Sequence, residues 1–304
     1  MCLLLGEYIE LDGMKNRYLI INADDFGVNE STNTAICELF EKRLITSTSL
    51  LTVAPFSKQA VKLASTKNLA AGIHLTINSD DSINRWQSNS GAKSLSDYKG
   101  LRYSTKEIAL KTKSKDVTKE LEAQYRFMLD NGCKPDHADN HCGTLYGING
   151  RLFFVNAFRF CRKYDLPFRF PKSPAFLARQ FGGKAPAALI LAHKILIKAA
   201  KHYDVCLPDD MFSNPYRINK IHSYESLRKY YIDELNRTDP GITEVFLHPS
   251  YPINSDSSVN DDEWLKREYE LRLLKSGDLL QIIEDKEITL CSWANAPFEN
   301  CRKR

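Results

Sequence analysis

The sequence predicts a single α/β domain whose parallel strands close, or nearly close, into a barrel. Three observations carry that expectation. Short β-branched and apolar runs alternate with segments of helical periodicity, about seven such units fit within 304 residues, and no linker-like stretch divides them.

Tyr18–Asn22 (YLIIN) is a continuous apolar run, the pattern of a strand covered on both faces, and it ends in Ala23-Asp24-Asp25-Phe26-Gly27. A helix is expected over Asn29–Leu44, with Ala35, Ile36, Leu39 and Phe40 at helical spacing. A strand over Thr46–Val53, a helix over Phe56–Ala64 and a third strand over Leu69–Ile77 follow. The Ser-, Asp- and Asn-rich stretch Asn78–Ser104 reads as a long functional loop. Next come a helix over Lys106–Asn131, a short strand near Pro135–Asn140, a helix over Gly150–Tyr164 and a strand at Pro167–Phe170. Helical material over Ala175–Tyr203 and Tyr224–Leu235 precedes a buried strand at Ile242–His248. Helices at Glu263–Lys275 and Gly277–Glu284 lead to a last strand at Glu287–Cys291.

Forty-two Lys and Arg against 38 Asp and Glu leave a net charge of +4, too little for an electrostatic nucleic-acid binder. The most apolar stretch, Ala185–Ile197, is broken by His193 and Lys194 and falls short of the roughly 20 residues of a membrane helix. Met1–Leu5 lacks the basic start and apolar length of a secretory signal, and the eight cysteines contain no CxxC pair. Reduced thiols and a cytoplasmic location are expected. Residues 1–14 are expected as a flexible extension, with Met14 an alternative start, and 15–304 as the domain.

Ionisable groups gather at the carboxyl ends of strands, where such folds place their active sites. The first strand ends in Asp24-Asp25, the third carries His74, the next carries His137-Ala-Asp139-Asn-His141, and the late strand ends in His248-Pro249. Four of the seven histidines fall on these ends, and that concentration decides the reading. Adjacent aspartates also cap turns, and a single histidine inside an apolar strand is often a hydrogen-bonded core group. Three ionisable groups at alternate positions of one strand are harder to dismiss, because burying them together is costly without a metal or a hydrogen-bond network. One carboxylate and two imidazoles around a divalent cation, a second carboxylate as base and a histidine as acid make a metal-assisted hydrolase.

These residues resemble the YdjC-like carbohydrate deacetylases. The resemblance runs through N-A-D-D-F-G (Asn22–Gly27), T-S-T (Thr46–Thr48), G-x-H-L (Gly72–Leu75), H-x-D-x-H after Lys134-Pro135 (His137–His141) and V-F-L-H-P (Val245–Pro249), in order from about Tyr18 to Trp293. It implies a distorted TIM-like barrel that removes N-acetyl groups from amino sugars such as chitooligosaccharides, using magnesium or, as in relatives of similar chemistry, zinc. By position it implies Asp25, His74 and His141 as metal ligands, Asp24 as base and His248 as acid. Arg169 would orient Asp24 or contact substrate, and His137 and Asp139 would hold a ligand imidazole in its tautomer. Where the family has a further histidine, this chain has Gly143 after Cys142, beside the pocket.

A carbohydrate substrate calls for aromatic faces, and Trp86, Tyr98, Tyr103, Phe212, Tyr216 and Trp293 are the candidates, Trp86 foremost because it lies in the long loop. The amphipathic run Ala185–Lys201 is a candidate pocket cover or homodimer face. Three other readings compete. A non-haem iron oxygenase would use His-x-Asp with a distal histidine and usually an all-β scaffold, a phosphoesterase would need a second metal set from His137 and Asp139, and a sugar-binding protein would dispense with base or acid.

Overall fold

The computed structural model describes residues 16–80, 82–147, 151–253 and 261–298. The expected extension lies outside them, as does Gly150. Its strands are β1 (Arg17–Phe26), β2 (Ser47–Leu50), β3 (Ala71–Leu75), the hairpin pair β4 (Ser96–Asp97) and β5 (Gly100–Leu101), β6 (Ala138–Asn140), β7 (Asp210–Phe212), β8 (Gly241–Leu247) and β9 (Thr289–Leu290). The main sheet runs β6-β3-β2-β1-β8-β7 with every pairing parallel, and β9 lies beside the first residues of β1.

The sheet curls until its two edges meet at Phe168. Phe168 forms a parallel bridge with Ala138, and Arg169 N donates to Ala138 O at 2.9 Å. On its other side Phe168 N donates to Cys206 O at 2.9 Å, just ahead of β7. This is the distorted TIM-like barrel expected, with one stave reduced to a single bridged residue instead of a strand over Pro167–Phe170. The all-β scaffold of the oxygenase reading is absent.

Alternation along the strands sorts the interior into layers. Leu19, Ile21 and Ala23 of β1 join the large apolar cluster under the surrounding helices, whereas Ile20 packs with Ile242, Trp293 and Phe298 in a separate cluster. Above that apolar floor the same inward positions turn polar. Asn22 and Asp24 follow Ile20 on β1, and Glu244 follows Ile242 on β8, all buried. The fold thus spends one layer on packing and reserves the carboxyl ends for ionisable groups.

Two expected helices are each divided. Lys106–Asn131 is Thr105–Lys111 followed by Ser114–Asp130, because Thr112 is extended (ψ 131°) and Lys113 N donates to Ser94 Oγ at 3.0 Å. The loop takes the amide that a continuous helix would have used. Ala175–Tyr203 is Ala175–Gln180 and Ala187–His202, separated by Gly182-Gly183 and Pro186, residues that stop and restart helices. Strand β7 has no counterpart in the sequence reading. The long loop is tied down by the buried Glu120, which accepts from Asn89 N and Ser90 N, both at 2.9 Å, and from Ser88 Oγ. No helix among the described residues is long and apolar enough to cross a membrane. Among the described residues, Cys37, Cys133, Cys142, Cys161 and Cys291 are free thiols, and of these only Cys142 is exposed.

Candidate active site

β1 delivers two adjacent carboxylates to one pocket because the chain turns between them. Asp25 is left-handed (φ 66°), and Val28 N closes a turn on Asp25 O at 3.0 Å. Asp24 therefore faces Arg169 and His248, while Asp25 faces the histidines of β3 and β6.

Asp25 Oδ1 lies 3.6 Å from His74 Nε2 and 3.5 Å from His141 Nδ1. It is buried and has no hydrogen-bond partner of its own, a costly state for a carboxylate oxygen. One donor atom from each of the three residues falls within 4.8 Å of the others. An oxygen and two imidazole nitrogens converging on an unsatisfied centre fit a divalent cation. The other oxygen, Oδ2, accepts from Arg267 Nη2 at 2.5 Å. Burial pushes the Asp25 carboxyl up, but the Arg267 guanidinium, His141 and His248 outweigh it and hold the group well below the carboxylate range.

Both imidazoles are oriented from behind by carboxylates. His74 Nδ1 is 2.6 Å from Asp139 Oδ1, which leaves Nε2 toward Asp25. His141 Nε2 is 2.7 Å from Asp80 Oδ1, which leaves Nδ1 toward Asp25. His141 itself begins a short 3₁₀ turn, His141–Gly143, in which Cys142 and Gly143 have φ 51° and 65°. The strand alternation therefore ends at Asn140, and His141 reaches the pocket through the turn.

On the opposite side Arg169 joins three carboxylates. Its Nη1 and Nη2 donate to Asp24 Oδ2 and Oδ1 at 2.7 and 2.8 Å. Its Nε and Nη2 donate to Glu244 Oε2 and Oε1, both at 2.8 Å, and Nη1 lies 2.9 Å from Asp139 Oδ2. Ser49 Oγ completes Asp139, and Asn22 Nδ2 bridges Asp24 Oδ1 and Ser49 Oγ at 2.8 and 2.7 Å. Burial raises the Glu244 carboxyl despite Arg169, whereas for Asp139 burial is outweighed by Arg169 and His74, and the group is held low.

His248 closes the pocket at its mouth, with its side chain 30% exposed. Its Nε2 is 3.8 Å from Asp24 Oδ2, and its Nδ1 is 3.8 Å from Glu270 Oε2. Glu270 also accepts from His248 N at 2.6 Å and from Tyr231 Oη at 2.8 Å. Burial pushes Glu270 up, but His248 and Lys266 bring it down to about 2.

The structure thus brings together Asp24, Asp25, His74, His141, His248, Arg169 and Asp139. The expectation for His137 is corrected: it holds no ligand imidazole. Its Nδ1 lies 2.7 Å from Asp136 Oδ1, its ring stacks on Trp293 at 4.7 Å, and its Nε2 stands 4.0 Å from Asp139 Oδ2. The second metal that a phosphoesterase would place on His137 and Asp139 has no vacancy there, since Arg169, His74 and Ser49 already claim Asp139. Trp86 is buried and tilts against the His141 ring at 5.4 Å, so it backs that imidazole and offers no open face for a sugar. Phe212 and Trp293 are core residues, while Tyr98, Tyr103 and Tyr216 stay exposed.

Sequence reasoning missed Asn22, Ser49, Asp80, Glu244, Arg267 and Glu270. Of these, Asn22 stood in the N-A-D-D-F-G motif without an assigned role, and Glu244 was readable as a charge inside the mostly apolar run Ile242–Leu247.

A model of the YdjC-like protein family matches residues 18–285. A carbohydrate deacetylase of Enterococcus faecalis is 27% identical across 92% of this chain and 98% of its own length. One from Geobacillus stearothermophilus is 30% identical across 91% and 97%. A chitooligosaccharide deacetylase of Proteus mirabilis is 31% identical across 40% of this chain and 48% of its own. Among solved structures, an Enterococcus faecalis protein named provisionally for cellobiose-phosphate cleavage aligns with a TM-score of 0.71 at 26% identity, covering 91% of this chain and 98% of that one.

Proposed function

The chain belongs to the YdjC-like family, and from that premise we propose that it is a metal-dependent hydrolase that removes N-acetyl groups from amino sugars, chitooligosaccharides among them. Relatives named as carbohydrate and chitooligosaccharide deacetylases support the reaction class. The observation that carries the metal dependence is Asp25 Oδ1, buried without a partner between His74 Nε2 and His141 Nδ1.

Asp25, His74 and His141 would hold the cation, magnesium in the first instance and zinc as the alternative. A cation held there acidifies a water and polarises the acetamide carbonyl. The remaining work falls to side chains. Asp24, fixed by the Arg169 fork, takes the proton of the attacking water. His248, half-open to the mouth and backed by Glu270, delivers a proton to the leaving amine. Asp139 and Asp80 keep the two imidazoles turned toward Asp25.

The test is acetate release from N-acetylglucosamine oligomers, diacetylchitobiose included, by EDTA-treated protein before and after Mg²⁺ or Zn²⁺ is restored. Metal-dependent acetate is expected. Asp24→Asn should abolish turnover with metal still bound, and His74→Ala should lose both. Near-normal turnover in Asp24→Asn would remove Asp24 as the base.

A further inference from the structure

The inner set uses only one face of the His141 ring. The other nitrogen, Nε2, meets a second group of donors on the solvent side: Asp80 Oδ1 at 2.7 Å and Cys142 Sγ at 3.3 Å, with Sγ 3.5 Å from Asp80 Oδ1. Nitrogen, oxygen and sulfur donors of a tetrahedral zinc stand roughly 3.3–3.6 Å apart, given its bond lengths. The two sulfur distances already match. The third is a hydrogen bond, and it opens to that length once its proton leaves. The Asp80 side chain is 39% exposed and Cys142 is the exposed thiol, so water can complete the coordination.

A thiol adds little to the Asp80–His141 pair as a hydrogen-bonding group, since sulfur is a weak donor and acceptor. As a ligand it changes the chemistry of the corner, because thiolate selects soft and borderline cations over magnesium. Resting on the reading that His141 Nδ1 serves the inner cation, we propose that Asp80, His141 Nε2 and Cys142 form a second, outer site for a thiophilic divalent cation such as zinc, and that its occupation slows turnover. Binding releases two protons, one from Cys142 Sγ and one from His141 Nε2, so that the ring would bridge the two cations as an imidazolate. The outer ion thereby displaces the hydrogen bond with which Asp80 steadies an inner ligand.

Cobalt reports the sulfur directly. Titration of metal-free full-length protein with Co²⁺ should take up two equivalents, the second bringing a thiolate-to-cobalt charge-transfer band in the near ultraviolet. Cys142→Ser should take up one equivalent without the band. In acetate release, zinc beyond the first equivalent should inhibit the wild type, and Cys142→Ser should be about tenfold less sensitive. A single equivalent without the band, lost in His74→Ala, overturns the outer site and leaves the inner one standing. A band that persists in Cys142→Ser places the thiolate elsewhere and overturns it equally. Absence of any binding removes both sites.

Discussion

Arg169 grips Asp24 with a two-pronged fork, Nη1 to Oδ2 at 2.7 Å and Nη2 to Oδ1 at 2.8 Å. The fork is itself aimed by Glu244, which accepts from Nε and Nη2 along the adjoining edge of the guanidinium. A planar group held at both edges cannot rotate, so the carboxylate it binds keeps one orientation toward the pocket.

Arg169→Lys retains the charge and loses the plane, and the two residues are not interchangeable at a bidentate site. The expected result is a fall in kcat of about 10²-fold or more, the range assigned to a misplaced general base, with metal content unchanged. Turnover counted beside bound metal checks it. Equal activity in the lysine variant would show that charge alone suffices.

Asp139 fixes His74 by accepting at Nδ1, 2.6 Å away, so that Nε2 is the nitrogen facing Asp25. Asn in its place still fits but loses the charge and offers an amide that can turn its donor to the ring. Removing such an orienting carboxylate typically costs 10–100-fold in metal affinity. Asp139→Asn should therefore need roughly that much more metal for half-maximal acetate release, while kcat at saturating metal drops less. Competition titration with a metal indicator gives the affinity independently.

What could be read from the sequence follows from chain geometry. Asp24, Asp25, His74, His141 and His248 were legible because each sits at or just past the carboxyl end of a strand that declares itself by apolar runs. Arg267 and Glu270 were not, since they lie on the helix Asp261–Ser276 among many other charges, and only tertiary packing turns them to the pocket. Asp80 sat in a polar loop where nothing distinguished it. His137 illustrates the opposite error. Period-two spacing correctly set it beside Asp139, but it says nothing of height in the barrel, and the residue lies one layer too deep, against Trp293. The divided helices followed from loop amides and glycines that helical periodicity does not register.

Gly72 lies under the His137 ring. A Cβ there would fall inside the contact distance of three of its ring atoms, while the backbone conformation is one alanine adopts freely. The clash is therefore steric and specific to the imidazole, which is itself trapped against Trp293. Gly72→Ala should cost about 1–3 kcal/mol, the usual range for overpacking. In a His137→Ala background the same substitution should cost less than about 0.5 kcal/mol, because the partner is gone. Urea unfolding of the four proteins closes the cycle.

Glu270 makes the acid limb of stability predictable in sign and slope. Its carboxyl is buried, accepts from His248 N and Tyr231 Oη, and sits at about 2 against an ordinary 4.5. A depressed folded pKa means that the native state holds one proton fewer than the unfolded chain between those two values. The stabilisation is complete above pH about 4.5 and is lost as pH falls toward about 2. In that window the wild type should lose roughly 1.4 kcal/mol of stability per pH unit more than Glu270→Gln, which cannot titrate there. Urea midpoints of both proteins, taken in steps downward from neutral pH, should converge only below pH about 4.5. Parallel curves through that window would mean that Glu270 carries no net charge advantage in the fold.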